Sequence, residues 1–439
     1  MKHISILMTF ILTLNVLSYS QKLTLNESVE IGLKNSKNLK IAQSKIDFAN
    51  AKYSEVKSQY FPSFRFNATL TKMSDVPNAE IKVPFFPTPI KIQDAIMNSY
   101  VTRIVFQQQI FTGFRLSSTK EGLKMLNNSA QEDYDSEIQN EIYTIIYAYW
   151  QYYKALKYDD LVKENLKLVE TSLKNAKLLF ENDLLTKSDV LKFEVQNANL
   201  RVKVLESENL KIKSRINFNR AVGLDLSSHT EIIEEDFSKY DESLNDEYFR
   251  YKESALSNRS ELKSISFKTN SALSAIDIVK SSYYPNINLQ GSYNYNRPNQ
   301  RIFPLQDKFY DTWDISLNLS WDIWNWGQTG SQVEQARETY HQSKLLSEKL
   351  MESIEVEVFN DFSNKKELSK KISALMTSLQ YAEEHLKTIK EKFDIQLATS
   401  TELIEAEVML YQIKTELINT RADYEIAIAK LKKSAGLKL

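Results

Sequence analysis

The sequence is written twice. The stretch Phe180 to Glu194, FENDLLTKSDVLKFE, returns 213 residues later as Phe393 to Glu407, FDIQLATSTELIEAE. Both copies read Phe, then Thr six positions on, an acid three further, two aliphatic residues and a closing Glu. Gly223-Leu224 returns as Gly436-Leu437 at the same offset. Upstream the offset is 223: Leu33, Asn35 and Leu39 match Leu256, Asn258 and Leu262, and Tyr60-Phe61-Pro62 matches Tyr283-Tyr284-Pro285. A unit of a little over 200 residues repeated once predicts two halves of one pseudo-symmetric body, not two or three unrelated domains. The ten-residue slip between the offsets falls between Pro62 and Ile110.

Proline and glycine divide each repeat. All eight prolines fall in two windows, 62 to 89 and 285 to 304. Neither Pro nor Gly occurs from Leu123 to Val222, or from Ser331 to Ala435. These stretches are rich in Leu, Lys, Glu, Ala and Gln, which favour helix. Leu166, Val169, Leu173, Ala176 and Phe180 are spaced 3, 4, 3, 4, and so are Val190, Phe193, Asn197, Leu200 and Val204. That spacing is a coiled-coil seam. Helices are expected over about 25–60, 115–181 and 188–222, the middle one roughly 100 Å long at 1.5 Å per residue. The repeated stretch is then a tight reversal at the end of a long helical hairpin.

The proline windows have a different period. Ile287, Leu289, Gly291, Tyr293 and Tyr295 alternate with polar residues, as do Ile315, Leu317, Leu319, Trp321 and Ile323. Repeat 1 offers Phe64, Phe66, Ala68 and Leu70, then Thr102, Ile104, Phe106 and Ile110. Such alternation is a strand with one apolar face. Strands are expected at about 63–72, 100–111, 286–295 and 313–324. Aromatic residues mark their ends, including four of the five tryptophans, 313, 321, 324 and 326. Strands of about 9–11 residues with these borders suit an outer-membrane barrel. The alternative is a soluble antiparallel sheet packed on the helices. Four strands cannot close a barrel and open edges do not persist in hydrocarbon, so lipid-spanning strands require several copies of the chain.

Residues 1–20 read as a signal peptide: Lys2 and His3, an apolar run from Ile4 to Leu17, then Ser18-Tyr19-Ser20. The absence of cysteine excludes a disulfide framework, a thiol nucleophile and a lipid-bearing N-terminal Cys. The four histidines, at 3, 229, 341 and 385, are too scattered for a metal or haem motif. A formal charge of −1 gives no reason to expect nucleic acid. No phosphate loop or Ser/His/Asp arrangement stands out, so an enzyme is not expected, nor any cofactor or metal.

The full order of these motifs, given twice, resembles the TolC-like outer membrane efflux protein family. Leu23-Thr24-Leu25 opens the first helix, and Tyr-aromatic-Pro leads into each first strand. Phe111-Thr112-Gly113 and Trp324-Asn325-Trp326-Gly327 leave the second strands, and the tip motifs and Gly-Leu ends complete the order. The resemblance implies a mainly helical fold with long coiled-coil hairpins forming a periplasmic tunnel. It implies four strands per protomer in a 12-stranded outer-membrane barrel closed by a homotrimer. The expected division is a signal peptide (1–20), repeat 1 (21–227), an equatorial linker (228–248) and repeat 2 (249–439). The long insert from Met73 to Asn98 is expected outside the cell. The implied role is the exit duct of an efflux or type I secretion system, partnered by a periplasmic adaptor and an inner-membrane transporter. The alternative is a non-transport structural or adhesive coiled-coil protein of the envelope.

The tips carry the candidate site. Thr186 with Asp189, and Thr399 with Glu402, fit capping boxes. Glu402 and Glu405 share a helix face and match the family's acidic rings at the periplasmic mouth. Asp189, Glu402 and Glu405 are therefore the expected aperture residues. Phe180, Leu184, Thr186, Phe393, Leu397 and Thr399 are the expected tip contacts for the adaptor. Phe393 and Ala398 stand where other members carry a Tyr and a basic residue that lock the mouth. Asp183 and Gln396 stand where the family favours Gly. Because Gln is poorly suited to a left-handed turn, the reversal in repeat 2 is expected to differ.

Overall fold

The computed structural model describes residues 22–74, 77–93, 95–233 and 247–439. The expected signal peptide and most of the expected linker lie outside the described residues. In chain order the first repeat holds β1 (Lys22–Leu23), α1 (Leu25–Asn35), α2 (Lys37–Ser58), β2 (Ser63–Lys72), β3 (Ala79–Ile81), β4 (Ile90–Gln93), β5 (Asn98–Thr112), α3 (Arg115–Glu181) and α4 (Lys187–Val222). After β6 (Glu231–Ile232) come α5 (Glu247–Asn258), α6 (Ser260–Lys280), β7 (Asn286–Arg297), β8 (Tyr310–Ser320), α7 (Gln328–Asp394) and α8 (Ser400–Ser434). The chain divides into two compact units. One comprises the residues up to Ile41, Asp135–Ser260 and Met351–Leu439; the other comprises Ala42–Tyr134 and Glu261–Leu350.

The first unit is helical. Its largest core gathers Leu23, Ile145, Tyr149, Trp150, Tyr152, Phe218, Val222 and Ile232. Around this core β1 and β6 pair in parallel, and Tyr152 donates its hydroxyl to the Thr230 carbonyl at 2.9 Å. The expected single helix over 25–60 is corrected: it is interrupted at Ser36, whose ψ of 123° leaves the helical region. The repeat-equivalent helix is interrupted at Arg259. At the first break the Ser36 hydroxyl accepts from the Leu39 nitrogen at 3.1 Å and caps the next helix, and each break also meets a tertiary contact. Each repeat ends in a left-handed glycine that carries the capping turn, Gly223 at φ 72° and Gly436 at φ 66°. A Cβ on Gly223 would lie 2.6 Å from the Asn35 Cβ, and one on Gly436 would lie 3.1 Å from the Arg259 nitrogen. The interruptions sit where these bare backbones press against the helix.

Helix α4 carries two apolar seams. Val190, Phe193, Asn197 and Leu200 are buried. Leu191, Val195, Val202, Leu205, Ile212 and Ile216 are exposed. Val195 and Val202 each stand two residues past a buried seam position, Phe193 and Leu200, and two residues of helix turn about 200°. The seams therefore face opposite ways, one filled within the chain and one open.

The second unit is built on an antiparallel sheet of order β2-β5-β7-β8. Its cross-strand rows separate by polarity. Phe64, Phe106, Gly291 and Ile315 form one row, and Phe66, Ile104, Tyr293 and Trp313 the next, on one face. On the opposite face lie Ser63, Gln107, Gln290 and Ser316, then Asn67, Arg103, Asn294 and Thr312. Leu317 and Leu319 are on the apolar face, at 66% and 64% exposure. Two expectations are corrected. Ile110 does not continue the alternation, because the register shifts between Gln109 and Phe111 and returns Phe111 to the apolar face. The last strand stops at Ser320, so Trp321 and Ile323 lie beyond it; the Trp321 indole instead donates to the Tyr283 carbonyl at 3.1 Å. In this chain β2 and β8 are edges. The insert after β2 folds a separate hairpin of β3 and β4.

Candidate functional site

The site lies in the helical unit, at the two reversals that join α3 to α4 and α7 to α8. Each begins where a helix runs out of partners for its last carbonyls. In repeat 1 the Asp183 nitrogen donates to Phe180 O at 3.0 Å and the Leu184 nitrogen to Leu179 O at 2.9 Å. In repeat 2 Gln396 and Leu397 donate to Phe393 O and Lys392 O, at 3.0 and 2.7 Å. These are the paired bonds of a Schellman ending. Asp183 has φ 60° and Gln396 has φ 63°. The expectation of a different second reversal is therefore corrected. The bonds impose the left-handed turn on Gln as they do on Asp.

The next helices start with matched caps. The Thr186 hydroxyl accepts from the Asp189 nitrogen at 3.2 Å and donates to Asp189 Oδ2 at 2.6 Å. Thr399 and Glu402 repeat this at 3.2 and 2.8 Å, and the Thr399 nitrogen donates to Glu402 Oε2 at 2.7 Å. The Thr186 hydroxyl, aided by Lys192, holds the Asp189 carboxyl below its ordinary range. The Thr399 backbone and hydroxyl lower that of Glu402. Glu402 is thus as much a cap as Asp189. Glu405, one turn on, is exposed and makes no ion pair among the described residues.

The starts of α4 and α8 face each other across an open groove of about 570 Å³. Leu191, Val195 and Ile404 supply its apolar wall, with Ser188, Thr401 and Glu405 beside them. Lys192 crosses it. Its ammonium lies 3.2 Å from Asp189 Oδ1 and donates to the Thr401 hydroxyl at 3.1 Å. Sequence reasoning missed this residue. No local pattern marks Lys192, because its second partner is 209 residues away.

Beneath the groove Ala176, Phe193, Phe393 and Leu403 form a buried cluster, with Ala398 packed on it. The Phe193 and Phe393 rings meet edge to face at 6.2 Å. Phe393, expected as a tip contact, is only 5% exposed and packs inside its own chain, so its ring is not a surface contact here. Phe180, its repeat counterpart, is exposed beneath the Lys187 ammonium. Leu184 and Leu397 are also exposed at the reversals, the latter at 74%. Thr186 and Thr399 have their hydroxyls committed to the caps.

The glutamates that close the two motifs also diverge. Glu194 pairs with Lys177 at 2.9 Å. Glu407 is 2% exposed and accepts from the Ser172 hydroxyl at 2.7 Å, while its second oxygen has no partner. Burial pushes the Glu407 carboxyl up. Nothing at the tips assembles a nucleophile with a base. Among the described residues no group of three His, Asp or Glu is placed to hold a metal. The tips offer capped carboxylates, one bridging lysine and exposed leucines.

The model of the family described as outer membrane efflux protein matches residues 29–224 and 252–437. The outer membrane protein TolC of Vibrio cholerae is 26% identical over 165 residues, a match that spans 36% of each chain. The outer membrane protein VceC from Vibrio cholerae superposes with a TM-score of 0.78 at 16% identity, covering 94% of this chain and 96% of that one. The Campylobacter jejuni CmeC outer membrane channel gives 0.79 at 15% identity, covering 94% and 85%.

Proposed function

The chain belongs to the outer membrane efflux protein family, and from that premise we propose that it is the exit duct of a tripartite efflux or type I secretion system. Family membership places it among outer-membrane channel proteins. The finer reading is a passive route from periplasm to exterior, formed by three copies. The observation that carries it is the four-stranded sheet, apolar across one face and polar across the other, with unpaired edges at β2 and β8. A sheet of this kind in lipid has to be closed by further strands, since unpaired backbone groups are too costly in hydrocarbon. Three copies supply twelve strands, with the apolar face to lipid and the polar face to the lumen. The open seam of α4 supports the same reading, because a helix with opposed seams fits the wall of a helical tube. The helical unit is assigned to the periplasm. Its tips, through Leu184, Leu397 and Phe180, meet a periplasmic adaptor that links the duct to an inner-membrane transporter.

Crosslinking of the purified protein in detergent tests the assembly. A trimer with native helical content is expected. A monomer that keeps full helical content would remove the barrel.

A further inference from the structure

The polar face of the sheet is not neutral. By strand register its ionised side chains in β2, β5, β7 and β8 are Arg65, Arg103 and Asp314. The other charges of these strands, Lys72, Arg297 and Asp311, have the opposite parity and stand at the strand ends beside the loops. Arg65 and Asp314 share one cross-strand row, through Val105 and Ser292. Asp314 is the fifth of 11 residues in β8, so these charges lie within the sheet and not at its rim.

The one acid is already engaged. Asp314 Oδ1 accepts from the Ser292 hydroxyl at 2.6 Å and from an Arg301 guanidinium nitrogen at 2.6 Å. Arg301 belongs to the loop between β7 and β8, which folds back across the polar face. Asn299 of that loop is 2% exposed and donates to the Thr312 hydroxyl at 3.3 Å. Ser292 and Asn294, on the same face, are buried there. The loop thus adds a third arginine to a face with one aspartate.

Arg65 and Arg103 are left over. Arg65 stands opposite Val105 and Arg103 opposite Asn67, so the two are diagonal neighbours, with Cβ atoms about 7–8 Å apart. The strands' ion pairs are Arg297 with Asp307 and Arg301 with Asp314; neither Arg65 nor Arg103 enters one among the described residues. Arg103 feels the Asp314 charge only through space, and its Nε has no hydrogen-bond partner. Two adjacent like charges repel, and an anion between them would offset both. A guanidinium presents a planar fork of donors that fits carboxylate or phosphate oxygens, and two forks suit an anion with several such oxygens. We propose that Arg65 and Arg103, repeated around the duct, form an anion-binding ring at mid-height of the lumen that takes carboxylate or phosphate groups of passing solutes. This rests on the duct reading for the side to which the polar face turns. Low-dielectric walls around a water-filled bore strengthen such a ring.

Single-channel recording of the full chain in planar phosphatidylcholine bilayers tests the ring, with inorganic triphosphate added on the side away from the helical tips. The lipid carries no net charge, so triphosphate is the only polyvalent anion present. It should block the current reversibly. Arg65→Gln and Arg103→Gln should each raise the half-blocking concentration about tenfold, as the loss of one charged contact predicts. Arg103→Lys keeps the charge and should retain most of the block, which separates loss of the site from loss of the fold. Lys308→Gln, in the exposed part of the β7–β8 loop, should leave the block unchanged. Conducting channels that ignore triphosphate, or that it blocks equally well without the two arginines, would overturn the ring and leave the duct standing. A protein that never conducts would overturn the duct reading, and the ring with it.

Discussion

Gln396 occupies a backbone angle that glycine adopts freely and a branched or long side chain does not. Its two turn bonds outweigh that cost, so the cost is still recoverable. Gln396→Gly should stabilise the hairpin by up to about 1 kcal/mol, measured as a shift in denaturant midpoint. Asp183→Gly should gain less, because Asp tolerates the left-handed region better. Glu407 makes a second residue-scale test. Burial holds its proton more tightly in the folded protein than in the unfolded chain. Its contribution is therefore most favourable below the ordinary carboxylate range and is lost as pH rises toward the raised value. Glu407→Gln should raise the melting temperature near neutral pH and leave it unchanged at pH 4. Asp189 and Glu402 have the opposite sign: their caps persist above the ordinary range and weaken as pH falls through the lowered values. The threonine-acid caps were legible in the sequence, because a cap and its partner lie three residues apart. Lys192 to Thr401, Glu407 to Ser172 and the burial of Phe393 were not, because each joins one repeat to the other.

Among the elements, α4 is the most exacting test of how the chain is used. Its inner seam is filled by its own hairpin, and Phe193 is wholly buried there. Phe193→Ala should cost about 3–5 kcal/mol of protomer stability. On the outer seam Leu205 is 68% exposed and touches nothing that a single chain must keep. Leu205→Glu should leave circular dichroism and melting of the dissociated chain unchanged while weakening the trimer, read by gel filtration in detergent. If the trimer were untouched, the open seam would have another purpose. The long helices could be read directly, since Pro and Gly are absent over whole stretches and good helix formers fill them. The interruptions at Ser36 and Arg259 were harder to read: Asn35-Ser36 is a weak helix pair and the Ser36 hydroxyl caps the start of α2, but the backbones that press on the two breaks, at Gly223 and Gly436, are distant in sequence. The strands could be read from their alternation. The bulge at Ile110 hid in that alternation, because one extra residue restores the pattern on the other parity. The β3–β4 hairpin was invisible within a window that proline made look like plain loop.

At the scale of the whole molecule the sheet faces and the mouth decide the proposed function. Leu317→Arg places a charge on the apolar face and should impair assembly by roughly 2–4 kcal/mol per protomer if that face meets lipid at midplane. Asn318→Arg, on the polar face, should assemble and alter conductance; the opposite pattern would reverse the faces. The mouth is the sharper question, and the caps now rank its acids. Asp189 is bound to Thr186 and Lys192, and Glu402 is folded back on Thr399. Glu405 alone of the three is uncommitted and lines the groove between the hairpin tips. In a trimer, one such carboxylate per copy around a threefold axis concentrates negative potential in a narrow opening. Single-channel recordings in planar bilayers should then show that Glu405→Gln loses more cation preference, and more block by trivalent cations from the periplasmic side, than Glu402→Gln. The double variant should lose most of both. Asp189→Asn should change selectivity little and lower hairpin stability by about 1 kcal/mol or less. Lys192→Gln removes the cation nearest the groove and the bond to Thr401, so it should strengthen cation preference and raise the frequency of opening. Full cation preference in the Glu402/Glu405 double variant would place the selective constriction away from these tips, and the reading of Asp189, Glu402 and Glu405 as the aperture would fail with it.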